Sequence, residues 1–198
     1  MRKAVRSTST ASAWLAAVAL MALLACWNGF AAGPFPIERL DEGGYVVMLR
    51  HATAPGMGDP EGFRLGDCAT QRNLSAEGRA QARRLGERLR ANGIDTADVY
   101  SSQWCRCLQT AELLELGPVQ QLPALNSFFG RPADRAPNLN ALRRFLAELP
   151  EHGAPVVLVT HQVTISAITG EGAASGEAVV LAADGTGQPP VVGTIVPQ

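Results

Sequence analysis

Two uninterrupted apolar runs constrain this chain most: Tyr45-Val46-Val47-Met48-Leu49 and Val156-Val157-Leu158-Val159-Thr160. Neither alternates apolar with polar residues, so each predicts a strand buried on both faces, as in a parallel sheet covered by helices. The first run stops on Arg50-His51 and the second on His161. Two of the chain's three histidines therefore stand at strand ends, which marks a candidate site.

The segments between and after the runs fit the same architecture. Ser75 is a candidate N-cap for a helix over 76–92, with Gly78, Ala82, Leu85 and Leu89 at helical spacing and Gly93 as its stop. A short strand over 98–101 precedes a helix over 103–116. After a Pro-containing stretch, a third helix is expected to open at Asn138 and end before Pro150, burying Leu142, Phe145, Leu146 and Leu149. A brief helix follows His161, over 163–169. The tail, with runs at 177–181 and 191–195, reads as a strand pair at the sheet edge. The expected fold is α/β: a single-domain three-layer sandwich with a mostly parallel sheet, helices on both faces and an antiparallel strand pair at the C-terminus.

The 198 residues suffice for one domain. Arg2, Lys3 and Arg6 precede an apolar stretch over 13–25 that is short for a membrane span, so residues 1–31 read as a signal peptide cut after Ala31. The alternative is a lipobox at Leu23-Leu24-Ala25-Cys26, with Cys26 as lipid anchor. Both place residues 32–198 outside the cytoplasm, in the periplasm, with membrane contact only through the leader or that anchor. Without the leader the 17 basic residues fall to 14, all arginine, against 18 acidic ones, a balance of −4 that argues against nucleic acid as a partner. Of Cys68, Cys105 and Cys107, an oxidising compartment would pair two, with Cys68 joined to either of the others. Cys105 and Cys107 are too closely spaced for a zinc knuckle, and no metal is expected.

In parallel sheets ligands bind beyond the carboxyl ends of the strands. Arg50-His51, the 101–106 segment and His161 all lie there, so three distant segments converge on one rim. Arg106 falls in the first turn of its helix, where its charge adds to the positive end of the macrodipole. Guanidinium groups suit phosphate oxygens, and a neutral imidazole nitrogen can attack phosphorus. The three motifs carry no carboxylate, so the rim reads as anion-binding rather than metal-binding.

Four segments carry a family resemblance: Leu-Arg-His-Ala at 49–52, Asn-Leu-Ser-Ala-Glu-Gly-Arg-Ala-Gln-Ala at 73–82, Ser-Ser-Gln-Trp-Cys-Arg-Cys-Leu-Gln-Thr-Ala at 101–111 and Val-Thr-His at 159–161. In this order they resemble the signature segments of the histidine phosphatase superfamily, which includes the phosphoglycerate mutases. The resemblance implies that His51 is the phosphorylated nucleophile, with Arg50, Arg106 and His161 completing the phosphate pocket and no cofactor required. The segments at 67–75 and 105–106 are most similar to small exported members such as lipopolysaccharide core heptose phosphate phosphatases. Arg72 is the candidate substrate contact at the pocket mouth.

Two departures from the family pattern stand out. The usual glycine after Arg-His is Ala52, and the position after the second histidine, an acid in one branch, is Gln162. The other branch places a glutamate between the second helix and the last inner strand, where this chain offers Asp134 as proton-donor candidate. The expected activity is metal-independent hydrolysis of a small phosphate monoester, a sugar phosphate or cell-envelope phosphate. A phosphate-binding protein without turnover and a mutase are the alternatives. A mutase needs a substantial lid, and the short 116–155 connection predicts an open pocket instead. The loops over 53–71 and 118–137 are expected to set selectivity.

Overall fold

The computed structural model describes residues 32–197; the expected signal peptide and the Cys26 lipobox lie outside them. The strands are β1 (Tyr45–Arg50), β2 (Asp98–Ser101), β3 (Val119–Gln121), β4 (Val156–Thr160), β5 (Ala178–Ala182) and β6 (Val191–Ile195). Four helices separate them: α1 (Ala76–Ala91), α2 (Cys105–Leu114), α3 (Pro132–Glu148) and α4 (Gln162–Thr169). All six strands form one sheet in the order β3-β2-β4-β1-β5-β6. The first four of that order run parallel, whereas β5 is antiparallel to both β1 and β6.

Both faces of the sheet are covered, which is why the central strands carry no polar alternation. Val47, Leu49, Val99, Val157 and Val159 point into one core with Leu85 and Leu89 of α1 and Ala111 and Leu114 of α2. Val46, Met48, Val156 and Leu158 point into the other with Leu142 and Leu146 of α3 and Ile165 and Ile168 of α4. Pairing of β1 with β4 sets Arg50 level with Thr160, so His51 and His161 emerge side by side.

Glycine fixes the entry to α1. Ser75 caps the helix by accepting from the Gly78 N–H at 2.9 Å, and a Cβ on Gly78 would lie 2.0 Å from the Thr53 carbonyl oxygen. The chain leaving His51 thus runs directly over the first turn of α1. A side chain at 78 would push that segment, two residues beyond the candidate nucleophile, off its seat.

Two elements differ from the expectation. α3 opens six residues before Asn138, because Pro132 occupies its first turn, where the missing N–H costs no helix hydrogen bond and φ is already helical. Pro137 lies within the helix. β3, a short edge strand with two exposed glutamines, lacks any apolar run that would have announced it.

Candidate active site

The carboxyl ends of β1, β2 and β4 open into a cavity of about 640 Å³, lined among others by Arg50, His51, Arg72, Arg106 and His161. That size suits a small organic ligand. Four sequence-predicted residues and the Arg72 candidate therefore share one cavity. Asp134 does not line it: the residue sits half-buried in the first turn of α3 and pairs with the exposed Arg131 at 2.7 Å. The proton-donor candidate drawn from sequence is thus replaced by an ordinary helix-start ion pair.

His51 is 3 % exposed, and its Nδ1 lies 2.8 Å from the carbonyl oxygen of Ala52. A carbonyl can only accept, so Nδ1 carries the proton and Nε2 keeps its lone pair. Ala52 is itself held by its N–H donating to Thr110 Oγ1 at 3.0 Å. Its backbone is not in the left-handed region, where Glu115 is the one non-glycine residue among those described. An alanine at this position therefore carries no backbone strain. Burial pushes the His51 pKa down to about 3 against that hydrogen bond, and the charges of Arg106, Arg72 and Arg50 add to the shift. The ring is neutral at physiological pH, as a nucleophile must be.

His161 is also buried, and its ring centroid lies 5.5 Å from that of His51. Ser102 Oγ stands 2.9 Å from its Nε2, and Arg106 Nη2 is 3.5 Å from its Nδ1. Burial holds His161 well below the usual histidine range, reinforced by Arg106 and His51. Both rings charge in the unfolded chain below about pH 6.5 but stay neutral in the fold. Protons therefore bind preferentially to the unfolded state, and stability falls as pH drops from about 6.5 toward 3. Each neutral histidine is expected to contribute about 1.4 kcal/mol of that loss per pH unit. Melting temperature measured across this window should fall less steeply in a His161→Gln variant than in the wild type.

Arg50 donates through Nη1 to the Ala173 carbonyl at 2.9 Å, and Ala173 N–H donates to Gln162 Oε1 at 3.0 Å. Gln162 thus clamps the loop that steadies Arg50. Arg106, 3 % exposed, lies at the start of α2. The Nε donors of both Arg50 and Arg106 are buried without a partner. Orphaned guanidinium N–H groups lining a cavity are what an oxyanion would satisfy. Arg72 donates to the carbonyls of Gly58 and Ala54, so it shapes the 54–58 loop as well as lining the cavity.

The residue missed in the sequence is Asp59. Its carboxylate takes both Arg106 terminal nitrogens, Oδ1 from Nη1 at 2.7 Å and Oδ2 from Nη2 at 3.2 Å, and its side chain is 8 % exposed. The Arg72 N–H donates to Oδ1 at 3.1 Å and Trp104 Nε1 to Oδ2 at 3.0 Å. Burial opposes ionisation, but Arg106 and these further donors outweigh it and hold the carboxyl below its usual range. Asp59 and Glu61 both line the cavity, so the rim is not free of carboxylates. In sequence Asp59 sits in Gly56-Met57-Gly58-Asp59-Pro60, which reads as an exposed turn.

The signal that could have found it is the cysteine pattern. Cys68 pairs with Cys105, which settles the open alternative and ties the end of this loop to the residue before Arg106. Gln71 Oε1 further accepts from the Cys105 N–H at 3.0 Å. Cys107 is free and buried, its thiol pushed up to about 12 by that burial, so it remains protonated beneath His161.

Residues 46–137, a little under half of the chain, match the family model of the histidine phosphatase superfamily (branch 1). Match and fold together support this superfamily, and with it a phosphatase, as the class of the enzyme. Among solved structures, the chain is similar to the protein histidine phosphatase SixA complexed with tungstate, at TM-score 0.56 and 17 % identity over 76 % of this chain and 96 % of that one. It is similar also to mycobacterial glucosyl-3-phosphoglycerate phosphatase with inorganic phosphate, at TM-score 0.54 and 21 % identity over 77 % and 95 % of the two chains. A phosphoglycerate mutase from Thermus thermophilus aligns at TM-score 0.53 and 22 % identity over 77 % and 98 %. At these identities the likeness is one of fold. No curated protein matches the chain by sequence.

Proposed function

We propose that this chain hydrolyses a small phosphate monoester through a phosphohistidine on His51. The observation that carries this reading is the tautomer of His51: Nδ1 is engaged by the Ala52 carbonyl, which leaves Nε2 as the attacking atom beside His161 and two unpartnered guanidinium donors. His51 attacks phosphorus and expels the alcohol, and water then releases phosphate from the histidine. Arg50 and Arg106 supply N–H groups to the transferring oxygens. His161 accepts from Arg106 Nη2 through Nδ1 and turns its Nε2–H to Ser102 Oγ, so its neutral ring steadies the Arg106 guanidinium beside those oxygens.

For the substrate we favour a sugar phosphate or a cell-envelope phosphate. Two observations support that choice. The cavity exceeds what phosphate alone fills, and exposed Met57 and Phe129 edge it with apolar surface. One structural neighbour is named for a glucosyl-phosphoglycerate. The Cys68–Cys105 disulfide favours an oxidising, extracytoplasmic setting. Among the described residues no helix is long and apolar enough to cross a membrane. Screening phosphorylated sugars for released phosphate is expected to show turnover of at least one monoester without added metal. A protein silent on every ester but still binding inorganic phosphate would instead be a phosphate-binding protein.

A further inference from the structure

The proposed hydrolysis, on which this inference rests, has an attacker and an oxyanion cradle but no group to protonate the departing alcohol. We propose that Asp59 is the catalytic acid and base of this site, giving its proton to the leaving oxygen and recovering one from the water that cleaves the phosphohistidine. Among the described residues only Asp59 and Glu61 bring carboxylates to the cavity wall. Glu61 is exposed, whereas the Asp59 side chain is enclosed and bonded to Arg106 and Trp104. Both of those residues adjoin the second histidine: Arg106 Nη2 stands 3.5 Å from His161 Nδ1, and the Trp104 ring centroid 5.3 Å from the His161 ring.

The loop that carries Asp59 is built to keep it there. Arg72 holds the carbonyls of Ala54 and Gly58, its N–H holds Oδ1, and the Cys68–Cys105 disulfide ties the far end of the segment to α2. Such fixation suits a group that must meet a reacting atom rather than a solvated turn residue. Asp59 is the anion in the Arg106 fork. A phosphate monoester entering the cavity competes for that guanidinium and sets its own negative charge against the carboxylate, so the complex favours a proton on Asp59.

The protons and bonds then balance. The His51 Nε2–P bond forms as the P–O bond to the alcohol breaks, and the alkoxide oxygen takes the Asp59 proton. In the second step a water oxygen attacks phosphorus, its proton passes to the Asp59 carboxylate, and the N–P bond returns its electron pair to His51. Acid and nucleophile are both regenerated.

The test compares Asp59→Asn with wild type on two esters that differ in their need for an acid. p-Nitrophenolate leaves without protonation, whereas glycerol 2-phosphate expels an alkoxide. The variant is expected to lose about 10²- to 10⁴-fold in single-turnover rate on glycerol 2-phosphate, while its first-turnover burst of p-nitrophenolate falls less than about tenfold. Binding of inorganic phosphate, measured by calorimetry, is expected to persist or tighten, which certifies a folded pocket. Should the asparagine variant fail to fold, Asp59→Ser, which also lacks the carboxyl group, takes its place, with the same unequal response expected. Equal losses on both esters, or no loss on either, would overturn the assignment. A wild type inert to both esters would remove the hydrolase reading itself, and this inference with it.

Discussion

A His51→Ala variant is expected to form no phosphoenzyme and to lose turnover by about 10⁵-fold or more, because the covalent route has no other attacker at its centre. Every local feature serves that one nitrogen. β1 ends at Arg50, Thr110 holds the Ala52 N–H, and the Ala52 carbonyl fixes the His51 ring with Nε2 unprotonated. His161 is no substitute, since its Nε2 faces Ser102 and its Nδ1 faces the Arg106 guanidinium. The substitution should leave the fold intact and lessen acid sensitivity, because one buried histidine that opposes protonation is gone. Rate assays and a melting curve on the same preparation separate these two effects. A variant that retains more than a few per cent of wild-type turnover while folded would mean that another group attacks.

Arg106→Ala is expected to cost both rate and stability. Loss of one preorganised donor to the transferring phosphoryl group typically lowers kcat about 10²- to 10³-fold. The same change strips Asp59 of its buried counter-ion, and breaking a buried pair from one side costs about 3–5 kcal/mol. The two consequences come apart in a double variant. Adding Asp59→Asn to Arg106→Ala removes the stranded charge, so stability should partly return while activity stays low. Arg106→Lys keeps the charge but cannot fork onto Asp59, and so should lie between wild type and alanine. Denaturant titration of these proteins gives the coupling directly; additive stability losses would contradict a shared ion pair.

How much of this was legible in sequence follows from how local each signal is. Residues 45–49 and 156–159 announced themselves because a strand covered on both faces must be apolar throughout. Ser75 and Gly78 marked α1 for reasons confined to one helical turn. Arg50, His51, Arg106 and His161 could be placed on one rim since parallel strands deliver their carboxyl ends to the same side. Asp59 could not, because its burial comes from Arg106 and Trp104, more than forty residues away in the chain. Asp134 looked equivalent in sequence and differs only in its surroundings, an exposed arginine one turn away. The start of α3 was obscured by prolines that turn sequence reading toward a loop, although Pro132 stands where a helix tolerates one.

The most direct test of the central claim is to mix the protein with a turned-over phosphate monoester, quench at alkaline pH and map the bound phosphate by mass spectrometry. An acid-labile phosphate on the peptide that contains His51, absent from the His51→Ala variant, is the expected result. Release of phosphate by wild type with no label ever found on His51, under conditions that capture the first turnover, would contradict the phosphohistidine route.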